Sequence, residues 1–137
     1  VRNRIELKRA AVGSVEGKVQ FSAQGGPSSF VGQGNLEVDA ITLDRYLGDF
    51  DPTFIKMDIE GAEPDALTGA AVRIRESLPL LAISCYHCQD HLWSIPLLIQ
   101  SLSPDYTFYL RPHDLEMWDL VCYGIPRSRL LDHRGDK

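Results

Sequence analysis

The run Phe54-Ile55-Lys56-Met57-Asp58-Ile59-Glu60-Gly61-Ala62-Glu63 decides how this chain reads. Phe54 to Ile59 predicts a short strand, and helical spacing follows at once, with Leu67, Ala70, Ala71, Ile74 and Leu78 on one face. Pro64 suits a first helical turn, Glu63 and Asp65 suit the positive helix N-terminus, and Pro79 stops the helix. Asp58 and Glu60 lie two apart at the strand end, so they point the same way if the chain stays extended. Glu63 follows at the mouth of the helix, and Gly61 lets the chain turn sharply between them. Ligands of open α/β sheets bind beyond the C-terminal ends of the strands, which is where these acids belong. Three carboxylates in six residues repel one another, which makes at least one a candidate for a raised pKa and the role of a base. The alternative is an acidic loop that caps a helix and faces water.

Downstream, Leu80 to Ser84 is a continuous apolar run, the pattern of a strand covered on both faces. Leu92, Ile95, Leu98, Ile99 and Leu102 align on a helix, and Tyr106–Leu110 and Leu120–Ile125 predict two more strands. The polar stretch 127–137 predicts a frayed tail. Upstream, Ile5 to Val12 reads as a strand bounded by Gly13-Ser14, and Val19 to Ser22 as a short half-buried one. Gln24 to Asn35, rich in glycine, predicts a loop. Leu36, Val38 and Ala40 alternate as a strand that runs into a short helix at Leu43–Leu47. Strands alternating with helices, then closing with two strands, predict a mostly parallel α/β sheet with a C-terminal antiparallel hairpin.

Composition bounds the function. The 137 residues suit one domain, and the hydrophobic share of 44% with 24% charged residues is that of a globular chain. A net charge of −5 lacks the basic face that nucleic acid demands, and no apolar run nears the ~20 residues that cross a bilayer. Neither nucleic acid nor membrane is expected as a partner. Three cysteines make no disulfide framework, so a reducing cytoplasm is expected.

The run from Phe54 to Glu63, followed by Leu67-Thr68-Gly69-Ala70, resembles the signature of FkbM-type methyltransferases. Arg9 to Gly13, Glu16-Gly17 with Val19 and Phe21, Ser28-Ser29, and Ile41 to Asp44 resemble further landmarks of that family. Tyr86-His87 with Leu92-Trp93 and Ile95-Pro96, then Tyr106 and Phe108 to Arg111, resemble one of its branches. The resemblance implies a class I, Rossmann-like sheet of strand order 3-2-1-4-5-7-6. It implies methyl transfer from S-adenosylmethionine to a hydroxyl of a small acceptor, such as a sugar or secondary metabolite. Asp58 would then lie at the junction of donor and acceptor, with Glu60 and Glu63 as further candidates for base or acceptor contact. Ala11 and Val12 would lie beside the adenine, and Tyr86 and His87 at the acceptor.

The sequence also departs from that family. No glycine-rich turn after a first strand is present, and Gly25-Gly26 and Gly32-Gln33-Gly34 are not framed as one. The expectation is therefore a partial sheet. Residues 1–50 would carry the third strand and a β extension, and 51–126 strands four to seven. The donor-binding strands are expected upstream of Val1, which leaves the chain inactive alone. The Phe54–Ile59 edge would pair with that missing half or with a second copy. A non-catalytic module docking through this edge is the alternative from a different class.

Cys85-Tyr86-His87-Cys88 with His91 invites a metal reading. Zinc wants a second ligand pair, however, and Cys122 is distant in sequence, so no metal is expected. His87 also reads as a hydrogen-bonded structural histidine. Trp93 and Trp118 suit stacking on a sugar, but packing is expected, for Trp93 because it lies beside the stripe that begins at Leu92. Arg111 and His113 suit either an anion or a surface salt bridge.

Overall fold

The computed structural model describes residues 5–21, 36–114 and 119–130. The expected 24–35 loop with Ser28 and Ser29, Trp118, and residues 131–137 of the expected tail lie outside the described residues. The fold is mixed α/β with two sheets. The first holds β1 (Ala11–Val12), β2 (Gly17–Phe21) and β3 (Leu36–Ile41), in the order β1-β3-β2. β1 runs parallel to β3 and β2 antiparallel to it. The strand expected over Ile5–Val12 shrinks to two residues because β3 bonds only Ala11 and Val12. Ahead of them Leu7 is 92% exposed, so no burial holds the segment extended.

The second sheet holds β4 (Phe54–Met57), β5 (Leu80–Ser84), β6 (Tyr106–Pro112) and β7 (Leu120–Pro126), in the order β4-β5-β7-β6. β4 and β5 are parallel, while β7 runs antiparallel to both β5 and β6. Register sorts the side chains by parity. Ile55 and Met57, Leu81 and Ile83, and Cys122 share the face that packs under the helices. Lys56, Ala82 and Tyr123 share the opposite face. Helices α2 (Glu63–Thr68), α3 (Ala71–Ser77) and α4 (His91–Leu102) cover the first face, and Leu67, Ile74, Ile95 and Ile99 are fully buried there.

Two expectations about helices are corrected. The single helix expected from Glu63 to Leu78 is two, broken at Gly69-Ala70. The cause lies in α1 (Leu43–Leu47), whose Asp44 carboxylate accepts the Val72 and Arg73 amides, both at 2.9 Å. Those are first-turn donors that an unbroken helix would bond internally, so a distant side chain caps a new helix start. On α4, Ile95 and Ile99 of the expected stripe are fully buried and Leu98 and Leu102 pack partly buried against the core, but the stripe begins at His91 rather than at Leu92. Leu92 and Trp93 consequently face outward, 42% and 56% exposed, so Trp93 is not the packed side chain expected.

The expected frayed tail starts tied down. Residues Arg127–Arg129 form a 3-10 turn, Arg127 N donates to Asp105 O, and Arg129 Nη1 donates to Thr53 O at 3.0 Å. Among the described residues no helix is long and apolar enough to cross a membrane.

Tyr106 closes the bottom of the core. It is 3% exposed, and its hydroxyl donates to Pro79 O at 2.9 Å. Tyr106→Phe leaves that carbonyl dry, so it should cost about 1–2 kcal/mol, seen as a lower urea midpoint at unchanged slope.

Candidate active site

β4 ends at Met57, and the chain then turns through Glu60 and Gly61, at φ +56° and +100°. Such φ values suit glycine and strain a glutamate, a cost that marks Glu60 as held by its surroundings. Asp58 and Glu60 therefore do not meet by strand alternation, as the extended reading had it. They meet because the turn folds both toward the end of β5. His87 Nε2 lies 3.5 Å from Asp58 Oδ1 and 3.6 Å from Glu60 Oε2. His87 Nδ1 lies 3.0 Å from Glu63 Oε1 without a hydrogen bond between them. Three carboxylates thus surround one imidazole that is 8% exposed.

The acids differ sharply in access. Glu63 is fully buried, and its Oε1 accepts the Ile59 amide at 2.9 Å, which fastens the turn to the start of α2. Asp58 and Glu60 are each 39% exposed. Tyr86, expected at the site with His87, donates its hydroxyl to Asp58 Oδ1 at 3.1 Å. Lys56 Nζ sits 3.5 Å from Asp58 Oδ2. Desolvation raises the Asp58 pKa, but hydrogen bonds from Ser84 and Tyr86 and the Lys56 charge together outweigh it and hold the carboxyl below its ordinary value. The acid expected to be pushed up as a base is therefore not Asp58. Three carboxylates in a row suggested repulsion, whereas donors on β4 and β5 set the balance. Burial pushes the Tyr86 phenol well above its ordinary value, and the Asp58 and Asp119 carboxylates add to that. Tyr86 stays a proton donor to Asp58.

On the uncovered face of the sheet, a cavity of about 260 Å³ opens against Lys56, Asp58, Ser84, His113, Asp119 and Tyr123. His113 Nε2 meets Tyr123 Oη at 2.8 Å. Lys56, Ser84, Asp119 and Tyr123 were not singled out from sequence. Lys56 had a signal, since it stands two before Asp58 on one strand and so shares its face. Tyr123 had none, because only the β5–β7 register brings it beside Ala82.

A second cavity, about 350 Å³ and mostly apolar, lies between the two sheets, lined by Val12, Leu43, Phe50, Ile55, Met57 and Ile59 among others. Val12 thus faces the residue that follows Asp58. Ala11 lines a separate recess of about 240 Å³ with Lys8, Arg9 and Phe21, apart from the acids. The Cys-x-x-Cys pair does not gather ligands. Cys85 is buried and its Sγ donates to Leu120 O, while the exposed Cys88 groups with Asp90 and His91 instead. All three cysteines are free. Burial pushes the Cys122 thiol up to about 12, which leaves it inert.

Residues 2–119 match the methyltransferase FkbM domain. The chain belongs to the FkbM methyltransferase family. Its fold is similar to the crystal structure of methyltransferase FkbM from Methylobacillus flagellatus KT, with a TM-score of 0.73 and 35% sequence identity. That likeness covers 89% of this chain and 28% of the other, so the chain spans little more than a quarter of the length of that FkbM protein. No curated protein matches it.

Proposed function

We propose that this FkbM domain takes part in methyl transfer from S-adenosylmethionine to a hydroxyl oxygen of a small acceptor, a sugar or secondary metabolite. The observation that carries the reading is the convergence of Asp58, Glu60, Tyr86 and His87 at the C-terminal ends of β4 and β5, beside an open cavity. Displacement at the methyl carbon needs the attacking oxygen, the carbon and the sulfonium in line, so fixed side chains contribute by positioning. Asp58, held ionised by its donors, supplies a fixed negative charge for the donor's ammonium or an acceptor hydroxyl. Glu60 is reachable from solvent and is the second contact. Glu63, fully buried, acts through the turn and His87 rather than on the acceptor. His87, nearly buried behind Asp58 and Glu60, stands one layer back, and Tyr86 is the better acceptor contact.

The four-stranded order β4-β5-β7-β6 supports a partial Rossmann-like sheet in which β1 corresponds to the third strand. In that arrangement the apolar cavity between β1 and β4 is the place of the central strands, and the donor-binding glycine turn belongs to sequence outside these residues. The open β4 edge, with Phe50 65% and Phe54 53% exposed beside it, suits that partner segment better than solvent. Free cysteines fit a cytoplasmic setting. Calorimetric titration with S-adenosylmethionine tests the assignment. The 137 residues alone should show no binding, and the longer protein with an upstream glycine-rich strand-turn-helix should bind. Tight binding by these residues alone would mean that the donor site lies within them.

A further inference from the structure

Glu63 is a fully buried carboxylate, and burying such a charge is expensive unless an opposite charge or several hydrogen bonds meet it. One oxygen, Oε1, accepts the Ile59 amide. The other, Oε2, has no hydrogen-bond partner. Among the described residues no lysine or arginine comes within ion-pair distance of Glu63; the imidazole nitrogens beside it are His87 Nδ1, 3.0 Å from Oε1, and His91 Nδ1, 3.7 Å from Oε2. Neither imidazole satisfies it. Both ring nitrogens of His87 and Nδ1 of His91 are themselves buried without a partner. His87 meanwhile turns Nε2 toward Asp58 and Glu60, two more groups that only accept. Acceptors and imidazole nitrogens therefore converge on one small volume with a deficit of positive charge.

We propose that Asp58, Glu63 and His87 form a binding site for one divalent transition-metal cation. Each offers a ligand atom, and the three atoms lie within 4.8 Å of one another. An ion with bonds of roughly 2.0–2.2 Å holds neighbouring ligands about 3.0–3.5 Å apart, so shifts within side-chain rotamer freedom close the site. The ion fills the charge deficit at Glu63 and gives one His87 nitrogen the partner it lacks. Glu60 and His91 stand at the rim, where they can complete the coordination or orient it. One imidazole nitrogen with carboxylate oxygens and no thiolate selects zinc and its first-row neighbours over calcium or magnesium, which prefer all-oxygen shells.

Untagged, metal-stripped protein, as the full chain, is titrated with Zn²⁺ and with Co²⁺, reading heat, cobalt absorption and the thermal midpoint. One equivalent should bind and raise the midpoint. Replacing Glu63 endangers the fold, because it also holds the Ile59 amide, so the variants are Asp58→Asn and His87→Gln. Each should weaken binding by at least about tenfold with the circular dichroism spectrum retained. Cys88→Ser, in the neighbouring Cys88, Asp90 and His91 group, should bind as the parent does. Absence of stoichiometric binding overturns the proposal. So does loss of the ion in Cys88→Ser with retention in His87→Gln, or equal affinity in all three variants. Neither methyl donor nor acceptor enters these measurements, so their outcome is independent of the methyl-transfer reading.

Discussion

Gly69→Ala is expected to destabilise the fold by about 3 kcal/mol, at the upper end of what overpacking costs. A Cβ built at Gly69 would stand 2.0 Å from Gly13 O, a backbone atom that cannot swing aside. Gly69 itself is in ordinary helical conformation, with φ −73° and ψ −3°, where alanine is normally the better residue by about 1 kcal/mol. Conformational preference and steric contact thus predict opposite signs, and contact should win because the colliding partner is main chain. Two backbone hydrogen bonds flank the crossing. Gly13 N donates to Ile41 O at the end of the first sheet, and Gly69 O accepts the Asp44 amide. The crossing thereby sets the three-stranded sheet against the helices over β4. Gly13→Ala is the control, since a Cβ there meets nothing within 4 Å. Urea unfolding should show a large loss for Gly69→Ala and a small one for Gly13→Ala. Equal midpoints for Gly69→Ala and the parent would remove the crossing from the account of the fold.

The same junction explains what sequence could and could not tell. Periodicity gives α1 at Leu43–Leu47 and β5 at Leu80–Ser84 with their observed bounds, because each is a short element with clear flanks. It misses the break after Thr68 because the apolar spacing of Leu67, Ala70 and Ile74 continues through it. The signal that stops α2 is a carboxylate from Asp44 and a close pass by Gly13, neither of which is local. The exchange of Leu92 for His91 at the head of the α4 stripe was likewise not legible from spacing. His91 is polar by type, yet it is buried with its Nδ1 3.7 Å from Glu63 Oε2, while Leu92 and Trp93 face out.

Of the site, the three acids were readable because they fall within six residues, and Tyr86 and His87 because they follow a buried strand. Their roles were not. A carboxylate triplet suggests mutual repulsion in one dimension, whereas in three dimensions Ser84, Tyr86 and Lys56 converge on Asp58 and reverse the sign of its shift. Similarly, the burial that separates Glu63 from Glu60 depends on the turn at Glu60 and Gly61, which sequence permits without requiring.

Asp58→Asn in the complete protein should lower kcat by roughly 10²–10³-fold, the range for loss of one fixed charge or hydrogen-bonding group aimed at a reacting centre. Asparagine keeps the shape, and its carbonyl can still accept the Tyr86 hydroxyl, so the variant isolates charge from geometry. The loss should fall on kcat if the charge acts on the attacking hydroxyl, and on donor affinity if it faces the ammonium. Wild-type turnover in the variant removes Asp58 from the site. Stability carries a second signature with a fixed sign. The folded-state pKa of Asp58 is depressed, so its ionisation favours folding above the unfolded value near 3.8, and that contribution is lost as pH falls through the lower, folded value. At neutral pH the parent should therefore be more stable than Asp58→Asn, and the difference should shrink steadily below about pH 4. Asp58 is partly exposed, so the difference itself is expected to be modest. A gap that stays constant down to pH 2 would assign the stabilisation to packing or to the Tyr86 hydrogen bond, and would leave the carboxylate charge with no part in it.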